Sequence, residues 1–270
     1  MNAILLIRQS EFQVYCANVL WRAERISAVI VEDGYAFERG TGLIATLDLL
    51  WRNSRTLLDV IAKNPLAFID YVKLSLYKNK YLGKQSFHNT RLLRENYSNF
   101  AEGLPVIKVN NINSEQANSA IREMKPDVVL VFGTRLIKPQ IFAGQHATFV
   151  NMHWGWSPDY RAEGIVSALG IEGPSALGVT VHLLSEYADG GNILHQARPV
   201  IDDEDNFYSI GLKLTLIGVE LFVSALDEFQ SNGALSGQPQ DLSQGRVYSS
   251  RYMKTHPRLY HTAWKNLKDL

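Results

Sequence analysis

The sequence predicts an α/β protein built on a Rossmann-like open, mostly parallel β-sheet with helices on both faces. Short apolar runs typical of buried strands alternate with segments whose apolar residues recur at helical spacing. Two such strands enclose a helical segment within the first 31 residues, and the right-handed crossover of a βαβ unit makes those strands parallel. The alternation resumes after residue 100 and continues to residue 229, as expected of a layered α/β domain.

The individual elements follow from local pattern. Residues 3–7 form an apolar run closed by polar residues, residues 11–25 have helical spacing, and residues 27–31 form a second β-rich run. A dinucleotide-binding interpretation has no support after the first strand, because no GxGxxG follows it. Further strands are predicted at residues 105–109, 127–132, 148–153, 178–184 and 193–200.

Two later helices carry start signals. Ser114 is a suitable N-cap for a helix that runs to Met124. A longer helix is predicted over residues 207–229, after the acidic cluster 202–205, whose charges favour the positive end of a helix dipole. We interpret that cluster as a helix start, since it lacks the loop spacing of a calcium site.

Residues 42–100 interrupt the alternation of strands and helices. Helical spacing over residues 41–81, divided by Pro65, predicts an inserted helical hairpin there. We therefore divide the chain into an α/β domain at 1–230, with a helical insertion at about 42–100, and a short C-terminal extension at 231–270.

Composition excludes several classes of protein. The 27 Lys and Arg balance the 27 Asp and Glu, which argues against a nucleic-acid binder. The single cysteine, Cys16, excludes a disulfide framework and a cysteine-built zinc site. The apolar run at 3–7 is too short for a signal peptide, and no run of about 18 apolar residues predicts a membrane span. We expect a cytoplasmic protein that binds no metal, nucleic acid or membrane.

The zero net charge is unevenly distributed. Residues 51–100 carry a net charge of +6 and residues 243–270 a net charge of +5, so the rest of the chain carries −11. The insertion would suit an anionic ligand; a dimer contact or the edge of a lid is an equally good interpretation. The basic tail is more simply a solvated surface.

Polar residues that suit catalysis follow the predicted strands, where open α/β sheets bind ligands. Asn151 and His153 are two residues apart on a strand and share one face. Asp189 lies in a Gly-rich loop whose freedom would let its carboxylate approach that face. A carboxylate can orient an imidazole, and an amide can stabilise an oxyanion, which together suit acyl transfer to an amine. The alternative is that Asn151 and His153 only cap a turn.

Four motifs follow one another in the second half of the chain: Asn151-x-His153, Pro158-x-Tyr160-Arg161, Gly178-Val179-Thr180-Val181-His182 and Asp189-Gly190-Gly191. In this order they resemble the formyltetrahydrofolate-dependent formyltransferases, a family that includes the glycinamide ribonucleotide, methionyl-tRNA and sugar N-formyltransferases. Pro158 follows Asn151 by seven residues, and Asp189 follows Asn151 by 38 residues, as in that family. The resemblance covers about residues 100–230 and, more weakly, 1–35.

The resemblance implies roles for particular residues. Asn151, His153 and Asp189 would be catalytic, and N10-formyltetrahydrofolate would be the formyl donor. The donor pocket would comprise Gly133, Arg135, Leu136, Ile137, Tyr187, Ala188 and Asp189. The acceptor site would comprise Arg8, Gln9, Ser10, Trp154, Tyr160 and Arg161. Departures from the family pattern are Gly155 for serine, Ala162 for glycine, Gly190 for threonine, and the two tryptophans Trp154 and Trp156.

The acceptor implied by the resemblance is a small-molecule primary amine, most simply an anionic amino sugar on a nucleotide. Methionyl-tRNA enzymes carry an additional C-terminal β-barrel, for which the 41 residues after Phe229 leave no room, and the purine-pathway enzymes are compact. Alternatives are a formyltetrahydrofolate hydrolase, transfer to an aminoacyl or peptidyl amine, and a non-catalytic binding module. A homodimer is also compatible with the sequence.

The remaining histidines are interpreted structurally. His182 is predicted to be a packed, hydrogen-bonded core histidine, because it lies within a strand. His195, His256 and His261 have no carboxylate at metal-ligand spacing.

Overall fold

A computed structural model of the protein describes residues 1–32, 99–256 and 258–268. Apart from residues 99 and 100, the helical hairpin predicted at about 42–100 lies outside the described residues. The strands are β1 (Ala3–Arg8), β2 (Ala28–Glu32), β3 (Val106–Val109), β4 (Val128–Phe132), β5 (Thr148–His153), β6 (Tyr160–Ala162), β7 (Val179–Leu183), β8 (Ile193–Ala197) and β9 (Arg246–Tyr248). The helices are α1 (Glu11–Arg22), α2 (Glu115–Met124), α3 (Pro139–Phe142), α4 (Gly164–Ile171), α5 (Phe207–Asn232), α6 (Ser250–Thr255) and α7 (Arg258–Lys268), with a 3-10 turn at Pro174–Ala176.

In the described part of the chain, seven strands form one sheet in the order β3-β2-β1-β4-β5-β7-β8. The strands from β3 to β5 are parallel, whereas β5 pairs with β7, and β7 with β8, in antiparallel fashion. The order reverses between β1 and β4, which is the position where open sheets of this type form a ligand-binding crevice. The predicted open, mostly parallel α/β sheet is confirmed.

The two faces of the sheet explain the apolar runs. Along β1, Leu5 and Ile7 pack into a core that includes residues of α1 and α5, whereas Ile4 and Leu6 pack into a second core with residues of α2 and α3. All four side chains are fully buried. A strand covered on both faces is expected to be continuously apolar rather than alternating.

Most predicted elements lie where the sequence placed them. Ser114 caps α2 by accepting a hydrogen bond from the backbone N–H of Ala117 at 3.2 Å. The acidic cluster precedes α5 as predicted, with Asn206 as the N-cap in a reciprocal pair with Ser209. Asp202 and Asp205 each lie 2.6 Å from Lys213, in the second turn of that helix.

Helix α5 is, within the described ranges, the one helix long and apolar enough to cross a membrane by length and composition. Its most apolar 18-residue window has a mean hydropathy of 1.7, but 61% of that window is buried in the protein. Residues Ile210, Leu214 and Phe222 of α5 belong to the core beneath the sheet. Packing in that core accounts for the apolar composition of α5.

The segment after α5 returns to the α/β domain. Strand β9 pairs in parallel with β6, and α7 packs on α4, where Asn266 Nδ2 donates to the carbonyl of Leu169 at 2.6 Å. Gly170 of α4 lies so close to α7 that a Cβ there would approach the carbonyl oxygen of Leu259 to 2.6 Å.

Candidate active site

Asn151 and His153 lie on β5, whose carboxyl end is next to the end of β4 in the sheet. Their spacing of two places both side chains on one face of the strand. The His153 side chain is buried, and Asn151 is partly buried. The shared face predicted from sequence is therefore present.

Asp189 reaches this face by a different route from the one expected. Strand β7 is antiparallel to β5, with Val150 opposite Leu183 and His153 opposite Thr180. The loop after β7 therefore starts at the opposite edge from the end of β5 and must fold back. It does so with Gly191 against β7, where a Cβ would come within 1.7 Å of the Leu183 carbonyl oxygen.

The Asp189 carboxylate accepts contacts on both oxygens. Oδ2 accepts a 2.8 Å hydrogen bond from the backbone N–H of Ala162 and lies 3.4 Å from His153 Nδ1. Oδ1 accepts from Asn151 Nδ2 at 3.2 Å. The three residues predicted to be catalytic are thus brought together around one carboxylate.

His153 has acceptors at both ring nitrogens. Nε2 lies 2.7 Å from the carbonyl oxygen of Tyr160, which can only accept, and Nδ1 faces Asp189. Both partners are hydrogen-bond acceptors, so each can receive a hydrogen bond from a protonated ring nitrogen. Gly155 makes room for this arrangement, because a Cβ there would be 2.3 Å from both His153 Nε2 and the Tyr160 carbonyl oxygen.

The environment of Asp189 favours its charged form. Burial would raise the pKa of this carboxyl, but the nearby His153 and His182 rings and the N–H of Ala162 together lower the pKa well below its usual range. The carboxylate is therefore ionised at neutral pH and is a weak base in this arrangement.

Two residues of the motif at 178–182 support the site, although neither was predicted to be a site residue. His182 is buried and hydrogen-bonded, as predicted, but its Nε2 lies 3.0 Å from Asn151 Nδ2 and 3.5 Å from Asp189 Oδ1. Its Nδ1 lies 2.8 Å from the Leu183 carbonyl, so Nε2 is the acceptor for Asn151. Thr180 donates to the Gly155 carbonyl at 2.7 Å and accepts from Ser157 N at 3.0 Å, which fixes the loop after β5.

The residues predicted to bind the donor lie on two loops. In the loop after β4, Leu136 is exposed and Ile137 is buried, while the Arg135 Nε lies 2.6 Å from a carboxylate oxygen of Glu32. Gly133 has a φ of 67° and packs closely on Gln13. A Cβ on Gly133 would lie 2.2 Å from Nε2 of Gln13. In the other loop, Tyr187 is 58% exposed and Ala188 adjoins Asp189.

The residues predicted to bind the acceptor fall into two groups. Arg8 ends β1, and its Nε lies 3.8 Å from Glu32. Gln9 and Ser10 follow the strand and are exposed. Glu32 was not recognised from the sequence as a site residue, since it ends a buried strand. Its carboxylate is buried and accepts from the backbone N–H of Ile112 at 2.9 Å.

The second acceptor group has buried surroundings. Trp154 packs against the rings of Phe12 and Phe132 at 5.1 and 5.4 Å. Tyr160 and Arg161 are 4% and 6% exposed, and Arg161 Nη2 donates to the carbonyl of Leu242 at 3.2 Å. These contacts are internal, and an acceptor-binding role for the three residues stays a prediction.

Comparison with known proteins identifies the family. A sequence model described as formyl transferase matches residues 77–226, which is more than half of the chain. The methionyl-tRNA formyltransferase of Kosmotoga olearia is 30% identical over 153 residues, which cover 56% of this chain and 49% of that protein. The chain spans about half the length of the curated relatives it matches.

Solved structures share the fold. A sugar N-formyltransferase from Shewanella sp. superposes with a TM-score of 0.55 and 15% identity, covering 97% of this chain and 88% of its own. A phosphoribosylglycinamide formyltransferase from Bacillus halodurans superposes with a TM-score of 0.51 and 14% identity, covering 87% and 97%. The sheet, the Asn–His–Asp cluster and the family match agree, and the chain belongs to the formyl transferase family.

Proposed function

We propose that the protein is an N-formyltransferase that moves a formyl group from N10-formyltetrahydrofolate to a primary amine, with an amino sugar on a nucleotide as the acceptor. The observation that carries the proposal is the convergence of Asn151 and His153 on the Asp189 carboxylate, at 3.2 and 3.4 Å. This combination of amide, imidazole and carboxylate is suited to stabilising charge during acyl transfer without a protein nucleophile.

The loops beside the cluster have the chemistry to hold a folate. Leu136 and Tyr187 are each 58% exposed, and large apolar side chains left in solvent on two loops suit a flat, partly apolar ring. The main chain of residues 133–137 would supply the polar contacts. The bound folate supplies a formyl group on nitrogen, which an amine accepts in exchange for one proton.

The residues of the cluster would divide the work. In the structure the amide N–H groups of Asn151 and the ring nitrogens of His153 all face protein acceptors. Formyl transfer would redirect one of these N–H groups to the formyl oxygen as negative charge develops there, and loss of one such donor typically costs about 2.7–4 kcal/mol of transition-state stabilisation. Asp189 balances the charge of His153 and orients its ring. Because its pKa is so strongly lowered, we assign Asp189 an electrostatic role rather than that of the resting proton acceptor.

The acceptor is the finer part of the proposal. An amino sugar fits the sugar acceptors named for two proteins of the same fold. Arg8 and Arg135 share the carboxylate of Glu32 near the ends of β1 and β4, and the net positive charge of these three side chains would suit an anionic acceptor. The curated relatives favour a second candidate, an aminoacyl amine, because they are methionyl-tRNA formyltransferases. The cytoplasmic location and the division at residue 230 belong to the same proposal.

A panel of acceptors tests the proposal. Purified protein is incubated with N10-formyltetrahydrofolate and either nucleotide-linked amino sugars, free amino sugars or methionyl-tRNA, and the products are analysed by mass spectrometry. We expect one formyl group to be gained by a nucleotide-linked amino sugar. Formylation of methionyl-tRNA alone would support the second candidate, and release of formate without any acceptor would identify a hydrolase instead.

A further inference from the structure

The segment that follows α5 runs directly alongside the loop that carries Asp189. Ile193 and Gln238 exchange backbone hydrogen bonds, with Ile193 N donating at 2.8 Å and Gln238 N at 2.7 Å. Gln238 thereby extends the sheet beside the first residue of β8. Residues 237–248, from this bridge to the end of β9, are called the C-terminal clamp below.

One side chain of the clamp holds the main chain around Asp189. Gln240 Nε2 donates to the carbonyl of Asp189 at 3.0 Å and also to the carbonyl of Gly191. Leu242 covers the residue between them, since a Cβ on Gly190 would lie 3.2 Å from Leu242 Cδ2. The clamp therefore contacts three consecutive residues of the loop.

The clamp also holds Ala162, whose backbone N–H donates to the Asp189 carboxylate. Strand β9 pairs with β6 so that Tyr248 lies opposite Ala162, and the N–H of Glu163 donates to the Tyr248 carbonyl at 3.1 Å. Ala162 is the residue whose N–H binds Asp189 Oδ2. One segment thus holds both the main chain of Asp189 and the donor that meets its side chain.

The backbone at both points needs such support. Asp189 has a φ of 49° and Ala162 a φ of 70°, which side-chain-bearing residues adopt at a cost of order 1–3 kcal/mol and keep only where the surroundings impose it. The described contacts that support these conformations include the hydrogen bonds to the clamp, the hydrogen bond between Ala162 and Asp189, and a 3.4 Å hydrogen bond from the Ser157 hydroxyl to the Asp189 carbonyl.

We propose that the C-terminal clamp positions the Asp189 carboxylate for formyl transfer, with Gln240 as the positioning residue. The inference rests on the proposed function. It makes the C-terminal extension part of the active site's support, although no residue of the clamp contacts the reacting groups. A displacement of about 1 Å in a positioned group can lower a rate about 100-fold, so a modest loosening of the loop has a measurable effect.

The test compares Gln240→Met, which keeps the length of the side chain but removes both donors, with Gln238→Met, whose exposed side chain lies two residues away in the same segment. We expect Gln240→Met to lower kcat at least about tenfold, with the KM of the amine and the thermal midpoint close to wild type. Gln238→Met should match wild type in all three. Equal kcat values for the two variants, or a loss of kcat fully explained by unfolding, would overturn the inference.

A second readout does not depend on activity. The Asp189 carboxyl, which faces His153 and His182, can be titrated by carbon NMR in each variant. We expect its pKa to rise in Gln240→Met and to stay at the wild-type value in Gln238→Met. If wild type transfers no formyl group to any amine, the proposed function fails. The titration still decides whether the clamp positions the carboxylate, because an unchanged Asp189 pKa in Gln240→Met would contradict that inference.

Discussion

The backbone N–H of Ala162 donates a 2.8 Å hydrogen bond to Oδ2 of Asp189, and both residues have left-handed backbone conformations, with φ values of 70° and 49°. The hydrogen bond joins the short strand β6 to the loop that follows β7, 27 residues later in the sequence. Glycine adopts positive φ without steric strain, so the conformation at Ala162 is one that glycine would adopt at lower cost than alanine.

Ala162→Gly should therefore leave the free energy of unfolding unchanged or raise it by up to about 1 kcal/mol, because relief of strain offsets the greater entropy of the unfolded chain. Ala120→Gly, inside helix α2, is the matched control and should lower the free energy of unfolding by about 0.5–1 kcal/mol. Urea unfolding of both variants measures the difference. Equal destabilisation of the two would contradict a strained backbone at Ala162.

Asp189→Asn should change how stability depends on pH. The pKa of Asp189 is lowered in the folded protein, so its charge contributes stability that is fully present above the unfolded value near 3.8 and is lost as the pH falls towards the folded value. The difference in unfolding free energy between wild type and Asp189→Asn should be constant from about pH 8 to 5 and shrink below about pH 4. A difference that grows on acidification would show the opposite shift.

Gly155→Ala should disturb the site through His153. The added Cβ would meet His153 Nε2 and the Tyr160 carbonyl at 2.3 Å, so we expect a loss of about 1–3 kcal/mol in stability together with at least about a tenfold lower transfer rate. Gly144→Ala is the control, because Gly144 has a φ of 79° but open space around it. That variant should lose about 1 kcal/mol of stability and keep its transfer rate; a fully active Gly155→Ala would remove the assigned role of Gly155.

Leu136→Ser should weaken donor binding. Exposed apolar surface that a folate ring covers contributes to affinity, and loss of about 1 kcal/mol corresponds to about a fivefold higher Kd. Calorimetric titration with a non-hydrolysable folate analogue measures the change. Val200→Ser is the control, since Val200 is 80% exposed after β8 and was not assigned to the donor pocket; equal affinities for the two variants would exclude Leu136 from the pocket.

The strands and the three residues of the catalytic cluster could be predicted from the sequence, whereas the full topology of the sheet could not. Continuous apolar runs such as residues 3–7 mark strands buried on both faces, and the spacing of Asn151 and His153 determines a shared face. Neither pattern contains the direction of a strand, so the reversal at β7, and with it the route by which Asp189 reaches the site, could not be predicted.

The supporting residues were missed for a related reason. β6 and β9 have three residues each, too few for any periodicity to show. Gln240 lies in a polar stretch typical of a loop, and its contacts with Asp189 and Gly191 depend on long-range packing. His182 was correctly predicted to be a buried, hydrogen-bonded histidine, but only the folded structure brings Asn151 beside it.

The most direct test of the account is the rate of formyl transfer from N10-formyltetrahydrofolate to the amine found in the acceptor panel, measured for wild type, His153→Ala and His146→Ala. His146 is exposed before β5 and serves as the control. We predict that His153→Ala is slower by about 100-fold or more, while His146→Ala matches wild type. Full transfer by His153→Ala would contradict the assignment of the Asn151–His153–Asp189 cluster as the catalytic site.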